Sequence, residues 1–230
     1  MAAVGRGQPL RIVGKTDPGK VRKANQDDFS CGVLPDGNVW AVVCDGMGGA
    51  NGGSVASTAA VRIITERVRA DYDGQTDMAR VKHLLFSAIG EANGEVYRQS
   101  RGDPSLNGMG TTVIACIAGP GYAYIAHAGD SRAYLVADGR AVQLTRDHSI
   151  VQEMLDSGKL TPDEARNHPQ KNIITRALGV EEELEIDFCE TTFPEGATLL
   201  VCTDGLTNLV DEETCARVLE EPQGADPAAE

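Results

Sequence analysis

The amino-acid sequence predicts an α+β domain, and three observations support this fold class. Apolar residues make up 41% of the 230 residues, which is enough to build a buried core. Aromatic residues make up only 4%, so this core consists mainly of Val, Ile, Leu and Ala, as is typical of sheets covered by helices. The periodicity runs from strands to two helices and back to strands, without regular βαβ alternation. We therefore expect one compact domain over residues 1–220 and a polar tail over residues 221–230.

The first hundred residues predict three strands followed by two helices. Residues 10–16, LRIVGKT, have the pattern of an opening strand. The runs FSCGVL and NVWAVVC flank a Pro-Asp-Gly turn and predict a hairpin. Residues 54–70 show helical spacing of apolar residues with Ser54 as the N-cap, and residues 76–98 predict a second helix.

The second half of the chain predicts mostly short strands. Four runs with a period of two, separated by Gly-rich and Asp-Gly turns, indicate an antiparallel meander over residues 111–118, 122–128, 132–137 and 141–145. A helix over residues 149–157 ends at Gly158, and a second begins with Thr161 as N-cap and Pro162 at its first position. Two further strands and a helix follow, over residues 184–192, 198–203 and 211–221.

Net charge and cysteine usage exclude several classes of protein. The formal net charge of -13 argues against a nucleic-acid-binding protein, which needs clustered Lys and Arg. The six cysteines form no C-x-x-C pair and lie in apolar runs, so we expect buried free thiols in a reducing compartment. The N-terminus lacks the apolar region of a signal peptide, and no apolar run is long enough to span a bilayer. These features predict a cytoplasmic protein without a membrane segment.

The segment VVCDGMGGANGG allows three interpretations of Asp45. A phosphate-binding loop is excluded, because the segment matches neither the Gly-Lys-Ser/Thr ending of a P-loop nor the third glycine of a dinucleotide fold, and it contains no Lys or Arg. A hairpin turn is common for Asp-Gly. A metal site is the third interpretation.

Recurrence of the pattern favours the metal site. Asp204-Gly205 and Gly129-Asp130 also end apolar strands, and Asp27-Asp28 begin another. Carboxylates at several strand ends can converge, and neighbouring glycines let backbone carbonyls approach the same centre. Such carboxylates repel one another unless a cation lies between them. Oxygen ligands suit Mg²⁺ or Mn²⁺ better than Zn²⁺, and the four histidines show no zinc-binding spacing.

An ordered set of motifs resembles the metal-dependent protein serine/threonine phosphatases, the type 2C family, in its bacterial form. The resemblance extends from Thr16 to Leu219, and its segments are TDPGKVRKANQDDF, VVCDGMGG, GMGTTVIA, AHAGDSRAY, a flap region from LTRDHS to TRALG, and LLVCTDGLTN. It implies a central sandwich of two antiparallel sheets flanked by helices on both sides. It also implies hydrolysis of phosphoserine and phosphothreonine on proteins by a water that bridges two divalent metal ions.

The resemblance assigns a role to each acidic motif. Asp45 is expected to bridge the two Mn²⁺ or Mg²⁺ ions, and the carbonyl of Gly46 to bind one of them. Asp204 is expected to bind the second ion, and Asp130 a weaker third ion. Asp27 is expected to act on the metal-bound water shell.

Outside the acidic motifs, the resemblance implies contacts with substrate. Arg22 is expected to hold the phosphoryl oxygens, and His168, in the flap, is a candidate substrate-facing residue. His127 is expected to be packed in a strand and His148 to cap a helix. The expected partners are phosphorylated proteins, including substrates of Ser/Thr kinases, and the expected state is a monomer.

The chain departs from the family pattern at three places. Met47 follows the Asp-Gly pair where animal members have His, and Ala50 stands where bacterial members usually have His. Nothing after Leu219 resembles the closing Gly-x-Asp-Asn-x-Thr motif, whose Asp is a metal ligand, so we expect a missing final strand, either because the sequence is cut before that motif or because the natural protein lacks it. Two alternatives follow: a pseudophosphatase that binds phosphoproteins with weak turnover, and a phosphatase specialised for a partner-switching stress pathway.

Overall fold

The computed structural model describes residues 9–20, 24–74 and 77–220, which form two antiparallel sheets and six α-helices. The first sheet contains six strands, β1 (Asp27–Val33), β2 (Val39–Met47), β3 (Gly110–Thr111), β4 (Val113–Gly119), β5 (Gly121–Ala128) and β8 (Asp187–Phe193). Its order is β1-β2-β4-β5-β8, and β3 pairs with the end of β2. The second sheet has the order β7-β6-β9, from β6 (Arg132–Ala137), β7 (Arg140–Gln143) and β9 (Thr198–Cys202).

The two sheets share an apolar core. Ile114 and Cys116 of β4 and Ile125 of β5 pack with Ala133 of β6, and Val201 of β9 lies against the same cluster. Side chains of both sheets therefore meet in one layer, as expected of a sandwich. The predicted arrangement of two antiparallel sheets is confirmed.

Helices cover both outer faces of this sandwich. On the first sheet, α1 (Gly49–Asp71) and α2 (Met78–Gly102) bury Ile64 and Leu85 against β2 and β4. On the second sheet, α6 (Glu212–Glu220) packs against β6 and β7. Along the chain, the short helices α3 (Ile150–Asp156) and α4 (Pro162–Arg166) lie between β7 and β8, and α5 (Asp204–Thr207) follows β9. The predicted α+β class with helices on both sides is therefore confirmed.

Several local predictions are also confirmed. The β1–β2 hairpin pairs in the expected antiparallel register. Thr161 caps α4 through a complete capping box with Glu164, and Pro162 occupies its first turn. Gly158, after α3, has a φ of 68° that suits a helix end. The predicted start of α2 at residue 76 lies outside the described residues, and the helix is capped by the Asp77 side chain.

The opening strand predicted over residues 10–16 is wrong. This segment has no regular secondary structure and forms no strand pairs. Leu10 and Ile12 nevertheless pack against Val39 and Ala118. The period of two in this segment reflects burial of alternate side chains, which does not require strand hydrogen bonds.

Two further boundaries differ from the prediction. The expected meander of four strands is divided, since β4 and β5 lie in the first sheet and β6 and β7 in the second. The chain changes sheets at residues 129–131.

The first long helix begins at Gly49 with Gly48 as N-cap, so Ser54 is not the cap. Gly52 and Gly53 therefore belong to the helix, and Gly53 lies in close contact with Gly46 of β2, as described below.

The six cysteines are free thiols. Cys44, Cys116 and Cys202 are buried, and the other three are partly buried. Burial raises the pKa of each of these thiols, to about 12 for Cys116 and Cys202. The cysteines therefore contribute to packing. Among the described residues, no helix has the length and apolar character needed to cross a membrane.

Candidate metal centre

Asp45 lies near the end of β2, and its main chain is held on both sides. Its N–H donates to the Thr112 hydroxyl at 2.9 Å. Its carbonyl accepts hydrogen bonds from the Thr112 N–H and the Thr111 hydroxyl, each at 2.9 Å. Because these contacts satisfy both backbone groups, the strand position is fixed and the carboxylate is left to the site.

Asp27 lies directly opposite Asp45 in the β1–β2 pair. Residues opposite each other in antiparallel strands project on the same face, so the two carboxylates are neighbours. The Asp27 Oδ2 atom accepts a hydrogen bond from the Thr203 hydroxyl at 3.0 Å. Because Thr203 immediately precedes Asp204, this bond ties β1 to the end of β9 and brings the second Asp-Gly motif to the same place.

Asp204 is the first residue of α5. Its Oδ2 atom accepts a hydrogen bond from the Asn208 amide at 3.0 Å, one helical turn away. The Asn208 side-chain oxygen in turn accepts from the Lys171 ammonium at 3.1 Å. Asn208 thus orients one carboxylate oxygen of Asp204, and Lys171, in the segment after α4, holds Asn208 in place.

Asp130 lies in the loop where the chain passes from the first sheet to the second. Gly129 has a φ of 110°, and a Cβ built there would lie 2.6 Å from Thr112 Cγ2. Only glycine fits this conformation and this close approach. The Ser131 and Thr112 hydroxyls hydrogen-bond at 2.8 Å. The loop is therefore fixed against the same Thr112 that holds Asp45.

The charges of the other three carboxylates act on Asp45. Burial is the largest cause that raises the pKa of Asp45, to about 8, and the charges of Asp27, Asp204 and Asp130 raise it further. Burial also raises the pKa of Asp130 to about 6, followed by the charges of Asp204 and Asp147. Mutual repulsion of this kind is relieved when a cation binds between the carboxylates.

Gly46, next to Asp45, is enclosed by backbone. Its N–H donates to the Gln26 carbonyl at 3.0 Å. A Cβ at Gly46 would lie 2.0 Å from the Gly53 carbonyl oxygen and 2.7 Å from that of Gln26. The first turns of α1 therefore pack directly on the strand end that carries Asp45, and only glycine permits this contact.

The donor set suits a hard divalent cation. Carboxylate and backbone carbonyl oxygens are the preferred ligands of Mg²⁺ and Mn²⁺. The four acidic residues that the sequence singled out, Asp27, Asp45, Asp130 and Asp204, are brought together by the fold. The residues present thus fit a divalent metal centre.

Two predicted substrate contacts have different outcomes. Arg22 lies outside the described residues. His168 lies on the turn after α4, where it is partly buried and its Nδ1 atom accepts the Gln170 N–H at 3.2 Å. The role of His168 toward a substrate stays a prediction.

Sequence reasoning missed the residues that hold the carboxylates. These are Thr111, Thr112, Thr203 and Asn208, together with Lys171. Four of the five directly flank an acidic or glycine-rich motif, in GTT and in TDGLTN. Small polar residues beside strand-end carboxylates are the signal that would have found them.

The two histidine predictions outside the carboxylates also have different outcomes. His127 is buried, as predicted, and burial lowers its pKa to about 4. The prediction that His148 caps a helix is wrong, because Ser149 is the N-cap of α3 and its hydroxyl accepts the Gln152 N–H at 3.2 Å. His148 instead bonds to Gly129.

Comparison with known proteins gives a consistent result. The family model for protein phosphatase 2C matches residues 20–224. The serine/threonine phosphatase stp of Listeria monocytogenes serotype 4b is 39% identical over 206 residues, covering 90% of this chain and 81% of that protein.

Solved structures share the fold. A serine/threonine phosphatase of S. agalactiae has a TM-score of 0.86 and 33% identity, covering 94% of this chain and 88% of that one. The catalytic domain of the protein phosphatase PstP, solved in complex with two manganese ions, has a TM-score of 0.78 and 31% identity, covering 94% of this chain and 86% of that one. Motifs, fold and carboxylate geometry all agree with these matches, and the chain belongs to the protein phosphatase 2C family.

Proposed function

We propose that this protein hydrolyses phosphoserine and phosphothreonine on proteins, with Mn²⁺ or Mg²⁺ as its cofactor. The observation that carries the proposal is the convergence of acidic motifs on the partly buried Asp45: Asp27 lies opposite it in the sheet and is tied by Thr203 to the Asp204 motif. The family match and the names of the relatives favour the phosphatase over a phosphoprotein-binding pseudophosphatase.

We assign the four carboxylates to separate roles. Asp45, central among them, would bridge two ions, and the Gly46 carbonyl would bind one of these. Asp204 would bind the second ion with the oxygen that Asn208 leaves available. Asp130 would hold a weaker third ion, and Asp27, fixed by Thr203, would orient water at the centre.

The centre supplies two kinds of chemistry to a phosphate ester. Two divalent ions, when bound, lower the pKa of water and neutralise phosphoryl charge. Arg22 is assigned to the phosphoryl oxygens, because a guanidinium binds two of them at once. The rigid main chain around Asp45 preserves the ligand geometry, which limits reorganisation during the reaction.

Three broader features belong to the same proposal. We assign residues 1–220 to a single catalytic domain, and the family match over residues 20–224 supports this assignment for most of the range. The six free thiols fit a reducing compartment, so we place the protein in the cytoplasm as a monomer. Its partners are phosphorylated proteins, including substrates of Ser/Thr kinases.

Phosphate release from a phosphothreonine peptide tests the function. We expect turnover with Mn²⁺ and none with EDTA. Asp45→Asn should lower kcat by about 100-fold or more, because it removes the bridging charge, while Arg22→Ala should mainly raise KM. Asp28→Asn is the matched control, since Asp28 is adjacent to Asp27 on β1 and projects from the opposite face.

The outcomes distinguish an active phosphatase from a pseudophosphatase. Metal-dependent release by the wild type, lost in Asp45→Asn and kept in Asp28→Asn, supports the proposal. Binding of the phosphopeptide without release at any Mn²⁺ concentration would instead identify a pseudophosphatase. Wild-type rates in Asp45→Asn would refute the bridging role.

A further inference from the structure

His148 is buried at the start of α3 and hydrogen-bonds both main-chain groups of Gly129. The Gly129 N–H donates to His148 Nδ1 at 3.1 Å, and the His148 N–H donates to the Gly129 carbonyl at 3.0 Å. Only 3% of His148 is exposed. Since Gly129 directly precedes Asp130, the histidine holds the loop that carries one of the four carboxylates.

The far edge of the His148 ring faces an ion pair. His148 Nε2 lies 3.2 Å from Asp187 Oδ2 and 3.2 Å from Arg176 Nη1, and Arg176 Nη1 donates to Asp187 Oδ1 at 3.0 Å. Because the Gly129 N–H is directed at Nδ1, we assign the ring proton to Nε2, where it is donated to Asp187. Asp187 thereby selects the tautomer that keeps Nδ1 available as an acceptor.

The same cluster is not a second cation site, although its donor atoms are close together. Ligand atoms of His127, His148 and Asp187 lie within 4.8 Å of one another. However, His148 Nδ1 already accepts the Gly129 N–H, and on that ground we assign the ring proton to Nε2. The Arg176 guanidinium also forms an ion pair with Asp187 at 3.0 Å, and its charge opposes a metal ion.

Several elements converge on His148. The His148 carbonyl accepts the Thr175 N–H at 2.8 Å, which attaches the segment returning from α4. Asp187 belongs to β8, and His127 of β5 stacks on the His148 ring at 4.9 Å between centroids with planes 8° apart. The ring is therefore held by its neighbours before any metal binds, and its Nδ1 acceptor has a fixed position.

We propose that His148 is a positioning residue that fixes the Gly129–Asp130 loop for binding of the weaker third divalent ion. The inference rests on the proposed function, because it takes Asp130 as a ligand of that ion. Gly129 adopts a φ of 110° that glycine can leave easily, and the Nδ1 acceptor restrains it. Residues that orient metal ligands in this way typically change metal affinity by about 10–100-fold.

Two substitutions separate the two sides of the ring. His148→Asn keeps an acceptor at the position of Nδ1 and loses the contact with Asp187. His148→Gln extends an amide toward Asp187 and loses the acceptor for Gly129. Mn²⁺ titration of the purified protein, followed by electron paramagnetic resonance, measures the tight and weak ions separately. We expect His148→Gln to lower the affinity for the weakly bound Mn²⁺ ion by about 10-fold or more. His148→Asn should bind this ion more tightly than His148→Gln does.

A second readout does not depend on activity. Amide hydrogen exchange of Gly129 in the metal-free protein should be fast in His148→Gln and slower in His148→Asn. His83→Asn, at an exposed histidine of α2, is the control and should leave both readouts unchanged. We expect the His148→Asn and His148→Gln proteins to be fully folded, because both retain a side chain of similar size. Circular dichroism checks this.

The results distinguish this inference from the proposed function. If the wild type hydrolyses phosphopeptide and His148→Gln binds the weak ion with wild-type affinity, the positioning role is wrong while the function stands. An equal loss of affinity for the weak ion in His148→Asn and His148→Gln would also overturn the positioning role. The acceptor for the Gly129 N–H, which only His148→Asn keeps, would then not be the cause. Absence of turnover in the wild type would refute the function, and Gly129 exchange would still report on the hydrogen bond.

Discussion

The Asp45 carboxylate lies half-buried in β2, opposite Asp27 and near the charges of Asp204 and Asp130. Burial and like charge both oppose its ionisation, while its main chain is fixed by Thr112. It therefore cannot move away from its neighbours to lower the repulsion. The metal-free fold is destabilised at this position, and a bound cation removes the same penalty.

Asp45→Asn should consequently stabilise the metal-free protein. The pKa of Asp45 is raised from 3.8 to about 8 in the fold, so between these pH values the folded state retains a proton that the unfolded state has released. Its contribution to stability is present below pH 3.8 and is lost as pH rises through 8. Asparagine has a similar shape and no charge. In urea unfolding with EDTA, we expect a gain on the order of 2 kcal/mol at pH 8 and a smaller gain at pH 5.

Asp28→Asn controls for the loss of one negative charge from this strongly acidic chain. The Asp28 carboxylate accepts a hydrogen bond from the Phe29 N–H at 2.8 Å. Asp28 lies on the face of β1 opposite to that of Asp27. It should give no comparable gain at pH 8. If Asp45→Asn were less stable than the wild type with EDTA at pH 8, the proposed repulsion at Asp45 would be wrong.

At the scale of single residues, the acidic centre could be predicted from the sequence, but its supports could not. Asp45, Asp130 and Asp204 each adjoin glycine at a strand end, which is a local signal. His148 gave a local signal of its own, a helix cap, and this was wrong. Its contacts with Gly129 and Asp187 join residues far apart in sequence, so they appear only in the folded chain.

At the scale of elements, the contact between α1 and β2 determines the shape of the centre. Gly46 of β2 and Gly53 of α1 are each too close to the other's main chain to carry a side chain. The predicted helix start at Ser54 lies after the glycine run, and glycine disfavours helices by about 1 kcal/mol per residue. Tertiary packing overrides that preference here, and α1 begins at Gly49.

Gly53→Ala and Gly90→Ala should change stability in opposite directions. Both glycines lie in α-helices, so alanine gains helix propensity at each position. A Cβ at Gly53 would lie 2.7 Å from the Gly46 carbonyl, whereas a Cβ at Gly90 meets nothing within 4 Å. We expect Gly53→Ala to lower the free energy of unfolding by about 1–3 kcal/mol and Gly90→Ala to raise it by about 0.5–1 kcal/mol.

Chemical denaturation measures both variants against the wild type. Gly90→Ala is the control for intrinsic propensity, because a Cβ at that position meets nothing within 4 Å. Equal stabilisation by both alanines would show that α1 does not pack on Gly46 as closely as described. Phosphatase activity should fall with Gly53→Ala, since displacement of Gly46 also displaces Asp45.

Strand and helix types were largely predictable, whereas strand partners were not. A period of two identified β4, β5, β6 and β7, yet it contains no information about which sheet each strand joins. The change of sheet occurs at Gly129, whose positive φ redirects the chain within one residue. Similarly, Leu10 and Ile12 alternate as in a strand because one side of the segment is buried.

At the scale of the whole molecule, both sheets contribute to one centre. Asp27 and Asp45 belong to the first sheet, Asp204 follows β9 of the second, and Asp130 lies in the loop between the two. The centre therefore exists only when the sandwich is assembled. The family resemblance predicted this assembly, because its motifs are distributed over both sheets, while periodicity alone predicted only the α+β class.

Because the ligands come together only in the folded state, Mn²⁺ should raise the melting temperature. An ion that binds only the folded chain adds about 2.7 kcal/mol at a concentration 100 times its Kd. For a domain of this size, each kcal/mol corresponds to about 2–4 °C, so we expect a rise of about 5–10 °C from one tight site in a thermal scan. NaCl at matched ionic strength controls for screening of the net charge of -13. Asp45→Asn should melt higher than the wild type with EDTA and lose most of the Mn²⁺ shift, whereas an undiminished shift in this variant would place the tight ions elsewhere.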